Sequence, residues 1–214
     1  MNTNEWYKPR SYASIPIRTN NIIISCGEKT EKNYFQGFIN CVKGSEEGNS
    51  VNFEIICNPI SPTGMAQDAI KYVEERKKTQ RINHVWILFD KDDFTDENFD
   101  LAIRKLEKSS NKDTKYHVLW SNQCFELWLL LHFINLEAAI DRKGYIEKLK
   151  IYLGSYDKND KDIFGKVLYK KGDISTAIRN AKNLLDKNKN PSNNNPGTKV
   201  CEIFEFYKKY LNLW

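Results

Sequence analysis

Over its first 135 residues the chain alternates short β-branched or apolar runs with longer stretches of helical spacing. Asn21–Cys26 (NIIISC) is an apolar run of strand length, and Gly27 closes it. From Thr30 to Val42 the apolar residues Tyr34, Phe35, Phe38, Ile39 and Val42 fall on one side of a helix. Val51–Asn58 predicts a second strand, followed by a Pro/Gly loop from Pro59 to Gly64. Met65–Thr79 predicts a helix, His84–Phe89 a strand, Asp96–Lys108 a helix and Lys115–Trp120 a fourth strand. Ser121 and Asn122 stand where caps would stand for a helix over Gln123–Ile134. Such an alternation predicts an α/β fold with a mainly parallel, four-stranded sheet flanked by helices.

The rest of the chain reads differently. Residues 1–20 have no clear period and are expected to form an arm. Residues 21–135 form the α/β domain, and 136–214 a helical C-terminal region. In that region helices are expected over Leu136–Leu153, over Ile163–Leu185 with a break near Gly172-Asp173, and over Thr198–Leu213. No strong strand is expected there.

Composition and charge narrow the function. The chain has 214 residues, 40% of them hydrophobic and 29% charged, which suits a folded soluble protein with its own core. No uninterrupted apolar run exceeds Leu127–Leu131, far short of a bilayer span. The polar stretch Met1–Asn21, with Pro9 and Pro16, is not a signal peptide pattern, so a cytoplasmic location is expected. The five cysteines are scattered and odd in number, as reduced cysteines of such a protein would be. The net charge of +5 is uneven. Residues 136–214 carry 16 Lys and Arg against 10 Asp and Glu, a net +6 that leaves residues 1–135 at −1. This division suits a protein that holds cations at one place and a polyanion beside it; it also suits a lysine-rich solvated surface.

The acids that follow the strands carry the chemistry. Ligands of open α/β sheets bind beyond the carboxyl ends of the strands. Glu28 follows the first strand, and Asp90 and Asp92 follow the third. An extended backbone would point Asp90 and Asp92 the same way. Three carboxylates around one small volume repel each other unless a proton or a cation intervenes. An all-oxygen ligand set selects Mg²⁺ or Mn²⁺, ions that serve phosphodiester chemistry. Taken singly, Glu28 and Glu31 equally suit a helix start, and Asp90 and Asp92 a turn. Lys29 and Lys91 are placed for phosphate contact or for charge balance.

The strand-Gly27-Glu28 element followed by strand-Asp90-Lys91-Asp92 resembles a TOPRIM domain, the metal-binding fold of topoisomerases, primases and overcoming-lysogenization-defect nucleases. SCGEKTEKNYFQGF (25–38), FDKDDF (89–94), SNQCFELWLLLHF (121–133) and NPGTKV (195–200) together resemble the RloB-like family. That resemblance implies a TOPRIM-like fold and a role in anti-phage, abortive-infection defence. It also implies a metal-dependent nuclease working with an ABC-type ATPase partner. The chain has no GxxxxGK[ST] phosphate-binding loop, so ATP hydrolysis would belong to that partner. Carried over, Glu28 is the first-strand acid and Asp90 and Asp92 the DxD pair, catalytic and metal-binding alike. Glu31 and Asp93 are their neighbours. The glycine that usually follows a TOPRIM DxD pair is absent.

Glu126 lies in an almost wholly apolar segment, where a carboxylate is costly without a partner. It reads as an accessory metal ligand or site organiser, or as a stabiliser of a helix start. Lys158, in a polar loop of the basic region, is the expected phosphate contact, with Lys161, Lys166, Lys170, Lys171 and Arg179 as further candidates. Tyr156 and Tyr169 could stack bases. No side-chain nucleophile is evident, so the reading is hydrolysis of nucleic acid by water. A non-catalytic regulatory or nucleic-acid-binding subunit of a defence complex is the alternative.

Overall fold

The computed structural model describes residues 18–58, 61–185 and 190–211. Most of the expected arm, together with Pro59, Leu213 and Trp214, lies outside them. Four parallel strands form the centre of the molecule: β1 (Thr19–Ser25), β2 (Val51–Cys57), β3 (His84–Asp90) and β4 (Lys115–Asn122). Helices α1 (Thr30–Lys43), α2 (Pro62–Lys77) and α3 (Asp96–Lys108) connect them. Helix α2 starts at Ser61, whose hydroxyl accepts from the Gly64 N–H, and has Pro62 in its first turn. Helix α3 starts at Thr95, whose hydroxyl accepts from the Asn98 N–H.

With a fifth, two-residue strand β5 (Gly197–Thr198), the strand order is β2-β1-β3-β4-β5. The chain moves outward from β1 to β2, then crosses back to β3 on the other side. Two oppositely directed crossovers of one hand place their helices on opposite faces. Accordingly, Ile22, Ile24, Val85, Ile87, Phe89, Val118 and Trp120 share a core with residues of α2 and α3. The intervening Ile23, Trp86, Leu88 and Leu119 share the other core with α1 and the later helices. Both faces of the central strands are covered, which is why they read as continuous apolar runs.

The helices after residue 135 are α5 (Arg142–Leu153), α6 (Ile163–Tyr169), α7 (Ile174–Leu185) and α8 (Cys201–Phe206); α4 (Glu126–Leu131) precedes them. They share the α1 core. Tyr34 of α1 is fully buried among Phe35, Phe125, Phe164 and Phe204. Its hydroxyl accepts from Trp128 Nε1 at 2.9 Å and is hydrogen-bonded to His132 Nε2 at 2.9 Å. Near the C-terminus, Tyr207 donates to Asn21 Oδ1 of β1 at 2.7 Å.

Three expectations are corrected. The sheet has five strands, not four, because β5 (Gly197–Thr198) pairs antiparallel with Asn122 and Ser121. A two-residue strand between turn-forming residues has no period to read. Second, Ser121 and Asn122 are not helix caps but the buried end of β4. Ser121 Oγ lies 3.0 Å from Thr198 Oγ1, and the Asn122 amide donates to the carbonyls of Pro191 and Ser192. Polar residues that look like caps in the sequence are anchors for the returning chain. Third, three helices are shorter than their periodicity. α4 begins at Glu126, α5 begins at Arg142 with Asp141 accepting from the Gly144 N–H, and α8 ends at Phe206.

The Tyr34 hydroxyl is the shared partner of two buried ring nitrogens. A Tyr34→Phe variant should therefore fold but lose about 1–3 kcal/mol of stability, read as a lowered urea midpoint with an unchanged slope.

Candidate functional site

The strand order reverses between β1 and β3, and the crevice beyond their carboxyl ends is the place where open α/β sheets hold ligands. The chain builds this rim locally. Ser25 Oγ accepts from the Gly27 N–H at 3.1 Å and donates to Gly27 O at 2.9 Å, and the Cys26 N–H reaches Leu88 O at 3.0 Å. The chain then turns into α1 with Glu31 in its first turn. A Cβ on Gly27 would lie about 2 Å from the Glu31 carboxylate carbon. Gly27 thus leaves the space into which Glu31 folds back. Beside it, Asp90 ends β3. The Lys91 N–H donates to Ser121 O at 2.8 Å and the Asp92 N–H to Gln123 O at 3.1 Å. Asp92 takes a φ of 42°, a left-handed turn conformation that Asp tolerates better than most residues. The two aspartates therefore share a site through a turn, not through the strand alternation expected of them.

These segments line a cavity of about 310 Å³ with Phe94, Phe125, Glu126, Arg142 and Lys158. Its charged lining residues are the five acids Glu28, Glu31, Asp90, Asp92 and Glu126 and the three bases Lys29, Arg142 and Lys158, a formal excess of two negative charges. Glu126 is buried, 3% exposed. Its Oε1 accepts from the Tyr156 hydroxyl at 2.9 Å and lies 3.5 Å from Lys158 Nζ. Thr30 ties the same loop to α1, its hydroxyl 3.2 Å from Tyr156 OH and 3.3 Å from the Lys158 carbonyl. Arg142 Nη2 pairs with Asp90 Oδ2 at 3.2 Å and also with Asp92 Oδ1.

Burial and mutual repulsion govern the titration of these groups. Burial, then the neighbouring Glu31, Asp92 and Glu126, hold the Asp90 carboxyl well above the usual range, with Arg142 opposing. Burial also pushes Glu31 up to about 7; the field of Glu126 adds to this, while a backbone hydrogen bond, Lys158 and Arg142 oppose it. Asp92 is raised by burial despite its pairing with Arg142. For Arg142, burial disfavours the charge, but Asp92 and Asp90 outweigh it and raise the guanidinium further.

In kind, the carboxylates suit a hard divalent cation. In position, no three His, Cys, Asp or Glu side chains among the described residues are gathered closely enough to hold one. Arg142 lies between the two aspartates instead.

A family model described as "RloB-like protein" matches residues 22–206, most of the chain. The chain belongs to the RloB-like family. No curated protein and no solved structure matches it significantly.

The residues singled out in this RloB-like chain fall in different places. Asp90, Asp92 and Glu126 line the cavity. So does Glu28, but on the exposed turn, whereas Glu31 is the acid that contributes to the field on Asp90. Lys29 and Lys158 also line it. Lys91 turns to α3, donating to Phe94 O at 2.6 Å and pairing with Asp96 at 2.9 Å. Tyr169 is exposed, and Tyr34 and Ser25 are buried. No disulfide joins any of the five cysteines. Arg142 escaped the sequence reading because it lies 50 residues beyond Asp92, in a segment that reads only as helix.

The raised Glu31 carboxyl carries a sign. A carboxyl that binds its proton more tightly when folded stabilises the fold at low pH, and that contribution fades as pH rises from the ordinary value of 4.5 through about 7. Metal-free protein in chelator should accordingly lose stability between pH 5 and pH 7.5. Urea midpoints of a Glu31→Gln variant should show a flatter dependence over this window.

Proposed function

We propose that this RloB-like protein is a divalent-metal-dependent phosphodiesterase that cleaves nucleic acid, with a TOPRIM-like sheet as its scaffold. The single observation that carries the reading is the cavity at the β1/β3 switch point, where five acids outnumber three bases by the charge of one divalent ion. Asp90 and Asp92, with Glu31, Glu126 or Glu28 beside them, would hold Mg²⁺ or Mn²⁺. The bound ion would polarise a phosphate oxygen and lower the pKa of its water.

The protein's own groups supply the rest. Whichever of Glu31 and Glu28 does not hold the ion would stand near enough to take a proton from an attacking water. Lys158 and Lys29 stand at the rim, where a phosphodiester backbone would pass. The Tyr156 hydroxyl fixes the Glu126 carboxylate, so its negative charge stays aimed at the cavity. The basic excess of residues 136–214 would give a polyanion its first hold. The family resemblance supports a place in anti-phage defence beside an ABC-type ATPase.

A second reading, a non-catalytic binding subunit, draws on the pairing of Arg142 with Asp90 and Asp92. Cleavage of RNA and of single- and double-stranded DNA decides between them, with Mg²⁺ or Mn²⁺ and with the ATPase present or absent. The enzyme reading expects metal-dependent cleavage that falls at least about 100-fold in an Asp90→Asn variant. It also expects the rate at limiting metal to rise from pH 6 to pH 8, as the carboxyls raised in the metal-free site give up their protons to the ion. Equal traces of cleavage in wild type and variant would mark a contaminant. Silence with the ATPase present would favour the binding subunit.

A further inference from the structure

The arginine between the two aspartates invites the question of what it does there. Its Nη2 reaches Asp90 Oδ2 and Asp92 Oδ1 together, so one nitrogen is shared by two carboxylates. A strong guanidinium–carboxylate pair instead uses two parallel N–H donors. Meanwhile Nε is buried without a hydrogen-bond partner. The side chain is 39% exposed, so it has a way out to solvent. Its backbone sits in the first turn of α5, where the helix dipole does not favour a positive charge. The guanidinium is held there by the aspartates and by little else.

We infer that Arg142 is an internal counter-ion seated between Asp90 and Asp92, and that a divalent cation entering the site displaces it toward the substrate phosphate. The inference rests on the metal site proposed above. A guanidinium and a divalent ion competing for the same carboxylate oxygens repel each other strongly at a few ångströms, which drives the arginine outward. In the absence of metal, Arg142 offsets the repulsion between the two half-buried aspartates. Once displaced, it is tethered at the cavity mouth with its donors free, and a planar guanidinium matches a phosphate oxygen pair. Metal entry therefore readies the anion contact, and the two bindings support each other.

Calorimetric titration with Mn²⁺, on wild type and on Arg142→Gln, Lys158→Gln and Asp90→Asn, tests this. Arg142→Gln should bind Mn²⁺ about tenfold more tightly than wild type, and by a larger factor than Lys158→Gln, which removes the same charge from the same cavity. Asp90→Asn should lose the site. Equal gains in the Arg142 and Lys158 variants would reduce the effect to bulk charge and overturn the displacement. Equal or weaker binding by Arg142→Gln, with wild type binding and Asp90→Asn not, would overturn it while leaving the metal site standing. Failure of both wild type and Arg142→Gln to bind would remove the metal site itself, and the displacement with it. Should Arg142→Gln not fold, the wild type still reports. The Arg142 Nε–H resonance, assigned with Arg142→Lys, should shift on Mg²⁺ addition, and an unmoved resonance would refute displacement.

Discussion

Carboxylates crowded at one end of a sheet repel each other, and most of what surrounds them in this protein answers that repulsion. Glu31 and Asp90 are held above their ordinary titration range by burial, with Glu126 adding to it at Glu31 and with Glu31, Asp92 and Glu126 adding to it at Asp90. Arg142 lies against the aspartates, and Tyr156 and Lys158 against Glu126. No hydrophobic gain compensates such an arrangement, because the acids lie beyond the strands and not between them. A group of charges this unfavourable costs stability, and whatever neutralised it, a proton or a cation, would recover part of that cost.

The fold supplies the positions. Reversal of strand order at β1 opens the crevice between β1 and β3. Two apolar faces fix both strands rigidly, one against α2 and α3, the other against α1 and the C-terminal helices. The loops that leave those strands are then pinned by main-chain hydrogen bonds to their neighbours, Cys26 to Leu88 and Lys91 to Ser121. Glu28, Asp90 and Asp92 thus stand on short turns at the strand ends, while Arg142 and Lys158, which face the acids, come from a distant part of the chain.

That division explains what could be read from the sequence. The four parallel strands and their helices were legible because each carries its period locally: Ile22 and Ile24 against Ile23, or Tyr34 against Phe38. The acids were legible because an α/β sheet makes the strand ends suspect in advance. Three things were not. The hold of Ser121 and Asn122 on residues 191–198 is a tertiary bond between polar residues that mimic caps. The choice between Glu28 and Glu31 turns on a fold-back into the space above Gly27, which no spacing encodes. Arg142 has a role only through its approach to Asp90 and Asp92, and its own neighbours in sequence say nothing of acids.

Thr30, Tyr156 and Lys158 join the first helix to a loop more than a hundred residues downstream. While translation is under way, a chain that has emerged only as far as β4 and α4 already displays every acid of the rim, yet neither Arg142 nor the loop that steadies Glu126 exists. Such an intermediate has its four parallel strands but neither β5 nor its charge arrangement. The charge arrangement of the cavity is consequently completed only once residues 142–158 have joined the sheet, so a product truncated before them would carry the acids without their counter-charges.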